Sequence, residues 1–257
     1  MNDRSFTAAP LPQTDLDHRQ ILRVVQDFHE MRRQREHAYG ELAHAHRITL
    51  SKLTLAAEYK DGDTGVHIVR IGALSALLSR ILGEPADWCA RIEQAAPMHD
   101  IGKIGIPDDI LKKPGGLNAH ERAIMETHPI IGAQILGNTD VPVLLMAAEI
   151  AHGHHERWDG SGYPQGLKGE DIPESARIVA VIDFIDALTM DRCYRKAISD
   201  DETLTMLKTS SGNHFDPRIV DATIAAFPQI TALRDAINRG EHGQDKGVAP
   251  HLASPRH

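Results

Sequence analysis

Seven side chains set the chemistry open to this chain: His67, the pair His99-Asp100, His128, the pair His154-His155, and Asp183. Imidazole nitrogen suits iron, manganese or zinc, and a carboxylate can bridge two such ions. A structural zinc takes four ligands, usually with thiolates among them. Seven nitrogen and oxygen ligands without a thiolate exceed one tetrahedral site. They point to two ions sharing a bridging carboxylate, an arrangement suited to hydrolysis.

Each residue also has a plainer reading. In a chain with 16 histidines, any one is more often surface or core than ligand. His18, His29, His37, His44, His46, His242, His251 and His257 are expected to be solvated, as is His120, while His214 is expected to be structural. His152, two residues before His154, is either a further ligand or a group that orients one. Asp63 lies four residues before His67 and shares its face if a helix begins at or before Asp63. Asp183 is set in an apolar stretch, VAVIDFI, where a carboxylate is costly unless paired or metal-bound. Asp186 is its rival, three residues on; the plain role for Asp186 is a hydrogen bond to backbone or arginine.

These groups need particular elements to hold them. His99 and Asp100 would point apart on a regular helix, so both reach one ion only where the backbone turns, as Gly102 and Gly105 allow. His154-His155 are similarly flanked by Gly153, Gly160 and Gly162. Hydrophobic residues make up 41% of the chain but aromatics only 4%, which favours packed helices over a β-sandwich. The expected fold class is all-α. The spacing predicts helices over 64–82, 86–99, 119–127, 141–152, 174–190, 200–210 and 217–227. Gly83 and Pro85 end the first of these, and Asn118 with Glu121 forms a capping box for the third. Pro129 disfavours helix at His128, which is placed at a helix end or kink.

Before this part, Asp17–Tyr59 contains no proline, and Ile21, Val24, Phe28, Met31, Ala38, Leu42 and Ala45 fall on alternating three- and four-residue steps. That is a coiled-coil seam, interrupted by Arg35, and it predicts a homodimer. The division is therefore a flexible 1–16, a long helix over 17–59, a catalytic domain over 60–230 and a polar, disordered tail over 231–257. A net charge of -8 argues against nucleic acid as a partner, though bound cations would still admit a small anion. Two distant cysteines without a CxxC, no signal-peptide core and no long apolar run give the expectation of a cytoplasmic protein with no membrane association.

The stretches AAPMHDIGKIGIPDDILKKPGGL, ETHPIIGAQIL and IAHGHHERWDGSGYPQGLKGEDIPESARIVAVIDFIDALT, in that order, closely resemble the HD-GYP domain over residues 59–218. The HD is His99-Asp100 and the GYP is Gly162-Tyr163-Pro164. The resemblance implies an HD-type helical bundle and a centre of two or three metals, usually iron or manganese. It implies hydrolysis of cyclic di-GMP to pGpG or GMP, and in some members of another cyclic dinucleotide such as cyclic GMP-AMP. It implies that the metal ligands are His67, His99, Asp100, His128, His154, His155 and Asp183. It implies that Lys103 lies beside the reacting phosphate and that Arg192 and Arg195 hold the substrate phosphates, and Asp100 is expected to bridge the ions. The GYP loop implies substrate access and docking of a GGDEF cyclase, and Tyr163 is the ring expected to contact guanine. The chain departs from the pattern at Asp63, where trinuclear members carry glutamate, at Cys193 for proline, at Lys60 for arginine and at His152. The intact ligand set favours an enzyme over a cyclic di-GMP sensor or adaptor.

Overall fold

A computed structural model of the protein describes residues 13–61, 65–190 and 196–241. Among them it contains α- and 3-10 helices and no strand. The helices are α1 (Gln13–Asp61), α2 (Gly65–Leu82), α3 (Ala86–Ala95), α4 (Asp108–Leu111), α5 (Ala119–Met125), α6 (His128–Leu136), α7 (Pro142–Gly153), α8 (Glu174–Thr189), α9 (Asp200–Thr209), α10 (Pro217–Ala225) and α11 (Phe227–Asn238).

The chain divides into two compact units between Leu50 and Ser51, within α1. Among its described residues, from Gln13 on, the first unit is helix alone. Its seam residues Ile21, Val24, Phe28, Met31 and Leu42 are all exposed, as are Ala38 and Ala45.

The second unit is built around α2, which packs against α3, α8 and α11. Ile71, Leu74 and Leu78 on α2 are fully buried. α2 is 18 residues long and apolar enough to cross a membrane, but 61% of it is buried within the protein. It ends in a Schellman motif: the Gly83 N–H donates to the Arg80 carbonyl and the Glu84 N–H to the Ser79 carbonyl, with Gly83 at φ 93°.

Several expected boundaries shift for identifiable reasons. The helix expected over 86–99 stops at Ala95 and continues as a 3-10 turn, Ala96–Met98. Pro97 has no N–H to donate to the Glu93 carbonyl, so the regular ladder ends there. The Asn118–Glu121 capping box has both of its bonds, and α5 runs from it as expected. His128 lies at a helix end, as expected: it opens α6, and Pro129 sits in the first turn, where its missing N–H costs nothing. The tail expected from residue 231 is a correction: α11 runs to Asn238 and buries Ile230, Arg234 and Ile237. Residues 1–12 and 242–257 lie outside the described residues.

Candidate metal centre

Three of the histidines share one local device. His99 is the C-cap of the 3-10 turn Ala96–Met98, His128 follows the end of α5, and His154 is the C-cap of α7. Helix ends leave carbonyls without intrahelical donors. Each histidine turns its Nδ1 back to a carbonyl of the preceding turn: His99 to Ala96 at 3.1 Å, His128 to Met125 at 2.8 Å, and His154 to Ala151 at 3.0 Å. A carbonyl oxygen carries no proton, so Nδ1–H is the donor in each pair. That fixes the tautomer and leaves Nε2 with its lone pair facing inward.

His67 reaches the same state through a side chain. It lies within α2, and its Nδ1 is 2.7 Å from Oδ2 of Asp186 on α8. Asp186 also accepts from Nε and Nη2 of Arg70, and all three side chains are buried. Burial alone would lower the His67 pKa, but the bond to Asp186 outweighs it and the net shift is upward. Burial would raise the Asp186 pKa, yet hydrogen bonds from Arg70 and His67 hold it at about 2. Asp186 therefore has its plain role, a partner for arginine, with orientation of His67 added.

The donor atoms converge as two groups. Asp100, His128, His154 and His155 form one, and His67, His99 and Asp183 the other; within each, the donor atoms lie within 4.8 Å of one another. Asp100 faces both. Its Oδ1 is 3.2 Å from His128 Nε2 and 3.5 Å from His154 Nε2, while its Oδ2 is 3.3 Å from His99 Nε2. Asp183 Oδ1 is 3.9 Å from the same His99 nitrogen. With Nδ1 carrying the proton in His128 and His154, the facing nitrogens and Asp100 Oδ1 are all acceptors. Oδ1 is buried with no hydrogen-bond donor of its own. Buried acceptors this close repel unless a cation lies among them. The donor set therefore fits divalent ions.

Local electrostatics agree. Burial pushes His154 down and His155 well down, so both rings are neutral, as a ligand must be. Burial opposes ionisation of Asp100, but the Lys103 ammonium, 2.8 Å from Oδ2, holds its carboxyl well below the usual range.

Two backbone devices bring the pieces together. At Gly102 an added Cβ would lie 1.9 Å from the His128 carbonyl oxygen and 2.5 Å from the Gly132 nitrogen, so only glycine lets the turn after Asp100 meet α6. At Gly162 a Cβ would meet the backbone of residues 155–157 at 2.4 to 2.6 Å. The loop beyond is tied down by Glu156, whose buried carboxylate accepts from the Gln165 N–H at 2.7 Å and the Leu167 N–H at 3.0 Å. Tyr163, in this loop, stacks on His155 with centroids 4.7 Å apart, and burial raises its pKa.

All seven sequence-expected ligands thus come together. Asp63, Arg192 and Arg195 lie outside the described residues. His152 belongs to neither group, and His29, His37, His44, His46 and His120 are exposed. His214 stacks on Phe215 at 3.9 Å, away from both groups. Arg70 and Glu156 escaped the sequence reading. Arg70 had a signal, since it is a charge three residues after His67, set between apolar neighbours in the first half of α2, and so demands a buried partner.

Comparison with known proteins follows the same lines. The HD domain family matches residues 46–219. The chain is 45% identical over 194 residues to the cyclic di-GMP phosphodiesterase response regulator RpfG of Xanthomonas campestris, covering 76% of this chain and 51% of that one. It is 42% identical over 206 residues to a cyclic di-GMP phosphodiesterase of Thermotoga maritima, covering 80% and 56%. This chain thus spans about half the length of these relatives. Among solved structures, a cyclic GMP-AMP specific phosphodiesterase of V. cholerae matches with a TM-score of 0.55 and 19% identity, over 76% of this chain and 53% of that one, a likeness of fold.

Proposed function

The chain belongs to the HD domain family, and from that premise we propose that it is a metal-dependent phosphodiesterase that hydrolyses cyclic di-GMP to pGpG, GMP or both. One observation carries the reading: the two oxygens of Asp100 face two separate histidine groups. The names of the two relatives, which extend well beyond the matched part, support the choice of substrate.

In this reading His128, His154, His155 and Asp100 would hold one ion, and His67, His99 and Asp183, with Asp100, would hold the other. Iron or manganese suits such nitrogen and oxygen donors, and Asp63 is the candidate for a third site. Bound ions supply positive charge to phosphoryl oxygens and acidity to a water. The side chains do the rest. Lys103 brings an ammonium group beside Asp100, where it offsets charge on the phosphoryl oxygens. Arg192 and Arg195 fork onto the substrate phosphates and fix the pose. Tyr163 offers guanine the ring face not stacked on His155.

The exposed seam of α1 supports a homodimer formed through that helix. The loop carrying Gly162, Tyr163 and Pro164 is the proposed docking place for a GGDEF cyclase. A second-messenger substrate places the protein in the cytoplasm.

The test is hydrolysis by protein purified without oxygen and reloaded with ferrous iron or manganese. Cyclic di-GMP and cyclic GMP-AMP are both offered, and metal is counted per chain. Turnover of cyclic di-GMP with two or more metals is the expected result, and Asp100→Ala loses both metal and turnover. Binding without turnover in the metallated protein would make it a sensor. Preference for cyclic GMP-AMP would reassign the substrate.

A further inference from the structure

The last turn of α1 ends beside the catalytic turn. Residues 51–61 belong to the second unit, and Lys60 among them is half-buried. Its ammonium group donates to the carbonyls of Ile104 at 2.7 Å and Ile106 at 2.6 Å, with the Lys103 carbonyl at 3.5 Å. The Asp108 carboxylate stands 3.6 Å away. These carbonyls close the 3-10 helix Ile101–Gly105, at the end where unpaired acceptors and partial negative charge collect. An ammonium presents three donors from one point, which suits carbonyls that converge on it.

The same short helix carries Lys103 and has Asp100 as its N-cap. Its middle is fixed by the close approach of Gly102 to α6. Its far end, where the Ile104 side chain is exposed, is fixed by Lys60. We propose that Lys60 is a positioning residue for hydrolysis. It anchors the downstream end of the catalytic turn and thereby sets where the Lys103 ammonium stands against Asp100. The kinetic half of this proposal rests on the phosphodiesterase reading; the anchoring half does not.

The test compares Lys60→Met, which keeps an unbranched apolar stem and removes the ammonium group, with Lys60→Arg. Amide hydrogen exchange is followed over residues 101–107 and over α2, together with kcat, KM and metal content. Loss of a charge-assisted hydrogen bond predicts about tenfold faster exchange in the turn, with α2 unchanged. A displaced Lys103 predicts kcat down by about tenfold, KM within about twofold and metal content retained. Lys60→Arg should restore most of both. In a Lys103→Ala background, Lys60→Met should add less than about twofold, because the two act through one group. Unchanged exchange in the turn, or full additivity with Lys103→Ala, would overturn the proposal. Faster exchange throughout α2 would also overturn it, since Lys60 would then support the whole fold. If the wild-type protein turns over neither dinucleotide, the phosphodiesterase reading fails and exchange alone judges the anchor.

Discussion

Asp186 Oδ2 lies 2.7 Å from Nδ1 of His67, and the same carboxylate takes the Arg70 guanidinium, so one buried acid both orients a metal-facing ring and neutralises a buried cation. Asp186→Ala should therefore do two things. It should weaken metal binding at the His67, His99 and Asp183 group by about 10- to 100-fold. It should also cost about 3–5 kcal/mol of stability by stranding Arg70. Metal titration against a competing chelator and urea denaturation read the two effects. Wild-type values in both would refute the role given to Asp186.

Gly102→Ala should destabilise the protein by at least about 1–3 kcal/mol, because the new Cβ meets backbone rather than a movable side chain. Gly116→Ala, which has open space around it, is the control and should melt within about 0.5 kcal/mol of wild type. A thermal melt of Gly102→Ala that matched this control would mean that the turn and α6 do not approach as closely as described.

Glu156→Ala leaves the Gln165 and Leu167 N–H groups without their acceptor, at about 1–3 kcal/mol for each one that stays buried. The expected outcome is faster amide exchange at these two positions and weaker substrate binding, with the α2 core still protected. Slow exchange at both amides would show that something other than Glu156 holds the loop.

Burial and the nearby Arg157 lower the His214 pKa to about 4 from 6.5. Below pH 6.5 the unfolded chain takes up a proton at this ring that the folded protein refuses until about pH 4. Stability from this group therefore falls as pH drops through that window and is regained on raising it. His214→Phe keeps a ring against Phe215 and should flatten that part of the stability profile. Denaturation midpoints measured from pH 7 to pH 4 decide the matter: parallel profiles for the two proteins would sink the assignment.

The residues that converge at the candidate centre could be read from sequence because their types are costly where they sit, and because glycines mark the turns that aim them. On α8, spacing alone left Asp186 as a rival to Asp183, and it was the family resemblance that named Asp183. Asp183 and Asp186 are one helical turn apart, and the choice depends on Arg70, 116 residues away from Asp186 in sequence. Only the packing of α2 on α8 decides it. α6 was missed because Pro129 both disfavours helix before it and suits the first turn of a helix after it, and local preference does not choose between the two. Glu156 was missed for another reason: its partners are backbone N–H groups, which every residue type but proline supplies.

Helix ends aim three of the five rings, and a side chain aims that of His67. The bearing of His99, His128 and His154 is inherited from main-chain carbonyls, which no substitution deletes. The bearing of His67 is held by Asp186, which a single codon change can remove. The bearings within the centre are thus unequally exposed to mutational drift: those of His99, His128 and His154 follow the path of the chain, while that of His67 is adjustable through one side chain.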